Sequence, residues 1–117
     1  MASSFPNYPE AMSGCIDACQ KCHHSCLEAA QRLLESQPNI SGSKLLSALT
    51  HCIGMTRLTA EMLLTDSSAH AEACELCKKA CLDCAELCKG NPDLEACMKV
   101  CLECAHCCQF EADHASV

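Results

Sequence analysis

Apolar and small residues recur along this chain at intervals of three and four, in long runs of Ala, Leu, Glu, Lys and Cys, with Gly and Pro held to a few short breaks. Such intervals describe helices with one inward face. The breaks fall at PNYPE near the start, QPNISGS at 37–43 and GNPD at 90–93, and TDSSAHAE after Leu64 supplies several good N-cap residues. Four helices are predicted, over about 9–36, 43–64, 67–89 and 92–113, with Pro92 in the first turn of the last. Residues 1–8 read as a flexible N-terminal arm and 9–117 as one four-helix-bundle domain. Long helices joined by short connections pack antiparallel, so the expected fold is all-α, an up-down-up-down four-helix bundle.

The inward face of three helices is marked by one residue type. Cys15, Cys19, Cys22 and Cys26 are spaced 4-3-4, and Cys97, Cys101, Cys104 and Cys108 repeat that spacing. At about 100° per residue each set spans an arc of about 60°. Cys74, Cys77, Cys81, Cys84 and Cys88 run 3-4-3-4, an arc of about 80° on the same reckoning. These are the seam positions that a bundle turns inward. On the second helix the seam continues as Leu45, Leu49, Cys52, Thr56, Thr59 and Leu63, with Cys52 its one thiol. Cys107 stands beside its stripe.

Composition sharpens this picture. There are 15 Cys against one Tyr, two Phe and no Trp, so sulfur replaces the usual aromatic mass of a core. A net charge of −7 with only 8 Lys and Arg excludes nucleic acid as a partner, because phosphate tracking needs clustered basic residues. No apolar run approaches the roughly 18 residues that span a bilayer, so no membrane partner is expected. MASSFPNYPEAM lacks the marks of an export signal, so the cytoplasm, where thiols stay reduced, is the expected location. The scarcity of Leu, Ile, Val and Phe in an acidic chain would fit disorder, but the regular stripes argue against it.

One buried Cys is an ordinary small hydrophobe. A whole seam of them is not explained by packing, since Leu fills space better. Disulfides fit poorly, because neighbours three or four apart on a helix have near-parallel Cα–Cβ directions and the count is odd. CxxC pairs occur at 19–22, 74–77, 81–84, 101–104 and 104–107 without a thioredoxin-like βαβ context, so no single reactive pair stands out and no enzyme is expected. Metal remains. Zn²⁺ in four unshared thiolates leaves two negative charges per buried site, whereas Cu(I) is monovalent and shares bridging thiolates. Two Cys four apart on one face share an ion, and the next helix supplies a third ligand or a bridge. An iron–sulfur or zinc–thiolate protein is the alternative reading.

The units CIDACQKCHHSC, CELCKKACLDCAELC and CMKVCLECAHCC cover nearly the whole chain and resemble those of the bacterial copper storage proteins, in particular the cytosolic branch without a signal sequence. The resemblance implies a homotetramer of four-helix bundles, each storing many Cu(I) ions on core thiolates, with His or Met assisting at the mouth. Carried to this chain, the ligands are Cys15, Cys19, Cys22, Cys26, Cys52, Cys74, Cys77, Cys81, Cys84, Cys88, Cys97, Cys101, Cys104, Cys107 and Cys108. A capacity of about one Cu(I) per Cys is expected if thiolate bridging holds throughout. A copper chaperone or acceptor protein is the implied partner.

Met12 and His70 extend the stripes of the first and third helices at one end of the bundle, with Met62 and His114 nearby off the stripe. Thioether and imidazole hold Cu(I) more weakly than thiolate, which suits an entrance. Leu33, Leu45, Leu49 and Leu94 at the opposite end read as an apolar plug. His24 and His106 fall on the solvent side, while His23 flanks its stripe as a further auxiliary candidate. The second helix also carries Leu46, Ile53, Met55, Leu58, Ala60, Met62 and Leu64 outside its seam, so it is apolar nearly all round and is expected in a subunit interface.

Overall fold

The computed structural model describes residues 7–114, with side chains from Met12 onward. Four α-helices follow one another, α1 (Asn7–Ser36), α2 (Lys44–Leu64), α3 (His70–Cys88) and α4 (Glu95–His114), with short 3₁₀ turns at Pro38–Ile40 and Pro92–Leu94. Each helix packs on two neighbours, α1 on α2 and α4, and α3 on α2 and α4, closing a four-helix bundle of antiparallel neighbours. The bundle measures 52 × 22 × 19 Å.

The connections explain where the helices stop. α2 opens on Ser43, whose hydroxyl accepts the Leu46 N–H at 3.1 Å, directly after Gly42 at φ +83°. α2 closes in a Schellman motif: Asp66 turns left-handed at φ 51°, its N–H donates to the Leu63 carbonyl, and the Ser67 N–H reaches back to Met62. This motif consumes residues 66–67, and the Ser67 hydroxyl then accepts the Ala69 N–H at 3.2 Å. α3 therefore begins at His70 rather than at the expected residue 67. α4 likewise begins at Glu95 rather than 92, because Asn91 accepts the Asp93 N–H and winds Pro92–Leu94 as a 3₁₀ turn first.

α1 begins two residues before the expected residue 9. Asn7 and Tyr8 already belong to α1, and Pro9 is tolerated there because first-turn N–H groups have no intrahelical partner. Residues 1–6 of that expected arm lie outside the described residues.

The core is the thiol seam. Every Cys except Cys107 is buried, joined by Ala29, Leu33, Leu49, Leu63 and Leu94. Leu33, Leu49 and Leu94 of the expected plug are buried, with Leu45 packed partly buried against them. Thr56 and Thr59 fill the α2 seam with their hydroxyls satisfied by backbone carbonyls, Thr56 donating to Cys52 at 2.7 Å and Thr59 to Ala73 of α3 at 3.3 Å. No helix among the described residues is long and apolar enough to cross a membrane.

Candidate metal centre

A 4-3-4 spacing reads the same in both directions, so the thiols of antiparallel α1 and α4 meet level by level. The Sγ atoms of Cys15 and Cys108 are 4.0 Å apart, Cys19 and Cys104 3.6 Å, Cys22 and Cys101 3.6 Å, and Cys26 and Cys97 3.7 Å. α3 lies diagonally across from α1 and runs parallel to it, so its 3-4-3-4 series adds thiols at the same levels. α2 closes the fourth side with Cys52, 3.6 Å from Cys22 and 3.7 Å from Cys81. All fifteen Cys are free thiols.

Five groups result, each with its sulfurs within 4.8 Å of one another. They are Cys15–Cys74–Cys108, Cys19–Cys77–Cys104–Cys108, Cys22–Cys81–Cys104, Cys22–Cys26–Cys52–Cys101 and Cys26–Cys84–Cys97–Cys101. The groups overlap: Cys22, Cys26, Cys101, Cys104 and Cys108 each belong to two. Shared sulfurs are what bridging thiolate chemistry requires, and a monovalent ion keeps such a chain of sites near neutral. Hydrogen bonding along the ladder polarises the thiols. Cys104 is held far below the ordinary thiol range, chiefly by Cys108, and Cys108 is driven far above it, chiefly by Cys104. The same division sets Cys52 low and Cys22 high, each chiefly through Cys101.

Two expected ligands stand apart from these groups. Cys88 is buried at the far end of α3 with Cys84 and Cys97 as its hydrogen-bonding neighbours. Cys107 is half-buried in a shallow groove between α1 and α4, beside Gly14, Asp17 and Lys21, and burial pushes its thiol up.

The auxiliary candidates divide as well. His70 is buried at the start of α3, and its Nδ1 donates to the Ser67 carbonyl at 2.8 Å. Met12 packs partly buried against the core at the same end, and Met62 is half-buried. His114 is exposed, stacked on Phe110 with ring centroids 4.0 Å apart. His23 turns away from the ladder and donates to the Ile53 carbonyl of α2 at 2.9 Å. His24 and His106 are exposed as expected.

One residue at this end escaped the sequence reading. Glu111 is fully buried, and among the described residues neither of its carboxylate oxygens has a hydrogen-bond partner. Burial, then the nearby Cys15 thiol, raises its pKa, while His70 and His114 lower it. The signal was present: the stripe through Cys97, Cys101, Cys104 and Cys108 reaches position 111 at its next step of three.

A four-helix bundle lined with overlapping thiol groups defines a class, a protein that holds several soft metal ions in its core. The family model of the copper storage proteins matches residues 5–114, and the chain belongs to that family. Its fold is similar to the crystal structure of the Nmul_A1745 protein from Nitrosospira multiformis, with a TM-score of 0.84 and 26% identity over 90% of this chain and 97% of that one. No curated protein matches the sequence. The protein stores Cu(I) through clusters of Cys thiolates inside its bundle, and the family is one of storage proteins rather than enzymes.

Proposed function

We propose that residues 9–117 act as one storage domain in which all fifteen Cys serve as ligands, at about one Cu(I) per Cys. The observation that carries this reading is the sharing of sulfurs between neighbouring groups. Separate four-thiolate sites would use each sulfur once and hold far fewer ions. Cys88 extends the chain of groups through Cys84 and Cys97, and Cys107 supplies the outermost and weakest position.

Copper enters at the Met12/His70 end. Both side chains are at least partly buried beside the outermost thiols, and the opposite end is closed by Leu33, Leu49 and Leu94. Met62, His114 and His23 are secondary. The storage unit works in the cytoplasm, loaded or emptied by a copper chaperone or acceptor, as a homotetramer with α2 in its interface. Leu58 and Leu64 support the last point, being 43% and 63% exposed on α2. The same kind of exposure at Leu76 and Leu82 of α3 makes that helix the competing face.

Anomalous scattering at the copper edge from crystals of the loaded protein tests the ligand set. Copper peaks are expected between the sulfurs of all five groups, with bridging sulfurs at Cys22, Cys26, Cys101, Cys104 and Cys108. Peaks confined to the surface, or isolated four-thiolate sites holding zinc, would overturn it.

A further inference from the structure

The thiol ladder ends on an acid. Glu111 follows Cys108 by three residues on α4, about 4.5 Å further along the helix axis, at the end where Cys15, Cys74 and Cys108 form the outermost group. Among the described residues it is the only buried carboxylate. Its two oxygens have no hydrogen-bond partner among the described residues, which is rare and unfavourable for a buried polar group. Leu would fill the same space without that desolvation cost. The groups acting on it electrostatically are Cys15 of α1, His70 of α3 and His114 of α4. A cation arriving at the outermost thiols would thus meet an acidic group that has no other hydrogen-bond partner among the described residues.

We propose that Glu111 is the cation-receiving group of the tube: its carboxylate draws incoming Cu(I) out of water and passes it to Cys15, Cys74 and Cys108. The proposal rests on the reading that copper enters at the Met12/His70 end. Carboxylate oxygen is a hard donor and Cu(I) a soft acceptor, so the acid attracts the ion through its charge without retaining it against thiolate. A charge in a low-dielectric cleft focuses the field and speeds capture. Glu111 therefore governs how fast the store fills and leaves unchanged how much it holds.

The test is anaerobic stopped-flow uptake of Cu(I) from its cationic acetonitrile complex by the full-length reduced protein. Four proteins are compared: wild type, Glu111→Gln, Glu111→Asp, and the double variant Met12→Ala/His70→Ala. Removing the charge in Glu111→Gln is expected to slow the first phase by about tenfold, with final copper content unchanged. Glu111→Asp should keep most of the wild-type rate. If Glu111→Gln loads at the wild-type rate while the double variant is slow, the entrance stands and the role of Glu111 is overturned. If neither is slow, copper enters elsewhere and both readings fall. A loss of capacity in Glu111→Gln would make the acid a storage ligand and also overturn the proposal. Thermal midpoints separate a purely structural role, since rates must follow the charge at position 111 and not the midpoint. Should Glu111→Gln fail to fold by circular dichroism, Glu111→Asp against Glu111→Asn gives the same charge comparison.

Discussion

At the scale of single residues, position within the ladder decides what a thiol is worth. Cys22 belongs to two groups and touches Cys52 and Cys101 at 3.6 Å, whereas Cys107 belongs to none. Cys22→Ser is therefore expected to cost more than one Cu(I), because two adjoining sites lose the same bridge. Cys107→Ser should cost at most one, and metal analysis of both loaded variants checks the order. Glu111 makes a separate prediction for the metal-free protein. Its folded pKa is raised by burial, so the folded state binds the proton more tightly than the unfolded chain. The stability it contributes is complete below the ordinary carboxylate value and is lost as pH rises through the raised folded value. Urea midpoints of wild type should fall across that window, and those of Glu111→Gln should not. The Cys stripes were legible because one residue type repeated, and Glu111 was not, although it holds the next position of the same stripe. Chemical identity marked the seam until the identity changed.

At the scale of elements, the inward faces could be read from spacing alone, but the helix starts could not. Ser67 is a good N-cap residue by type, and only the left-handed Asp66 before it shows that the chain is still closing α2 there. Asp66 bears a conformation that costs a branched side chain about 1–2 kcal/mol. Asp66→Val should destabilise the reduced metal-free protein by roughly that amount, and Asp66→Gly should not, as measured by urea unfolding. The loss would act through α2 and through His70, whose ring and N–H both bond to the Ser67 carbonyl released by this turn. His23 shows the converse limit. Its place beside the α1 stripe was plain, but its commitment to the Ile53 carbonyl depends on how closely α2 approaches.

At the scale of the whole molecule, a core of small thiols beside a handful of Leu is a weak source of apolar burial. Copper supplies what the core lacks, since an ion that binds only the folded bundle stabilises it by mass action. The thermal midpoint should rise stepwise with added Cu(I) and fall again when a strong chelator removes it. Each thiol also gives up its proton to the metal, so copper binding must weaken as pH falls. The bundle architecture was legible, because four long helices joined by short connections pack antiparallel. Exposed Leu58 and Leu64 bear on assembly: a Leu58→Glu/Leu64→Glu variant should sediment as a smaller species than wild type if α2 lies in the subunit interface. An unchanged sedimentation coefficient would move that interface to another face.

The central claim is that the thiols act as one shared ladder. Anaerobic titration of the fully reduced protein with Cu(I), against a competing chromogenic chelator and alongside a free-thiol count, tests it most directly. The shared ladder predicts tight uptake to about fifteen equivalents, close to one per thiol. Saturation at three or four equivalents, as separate four-thiolate sites would give, would contradict it.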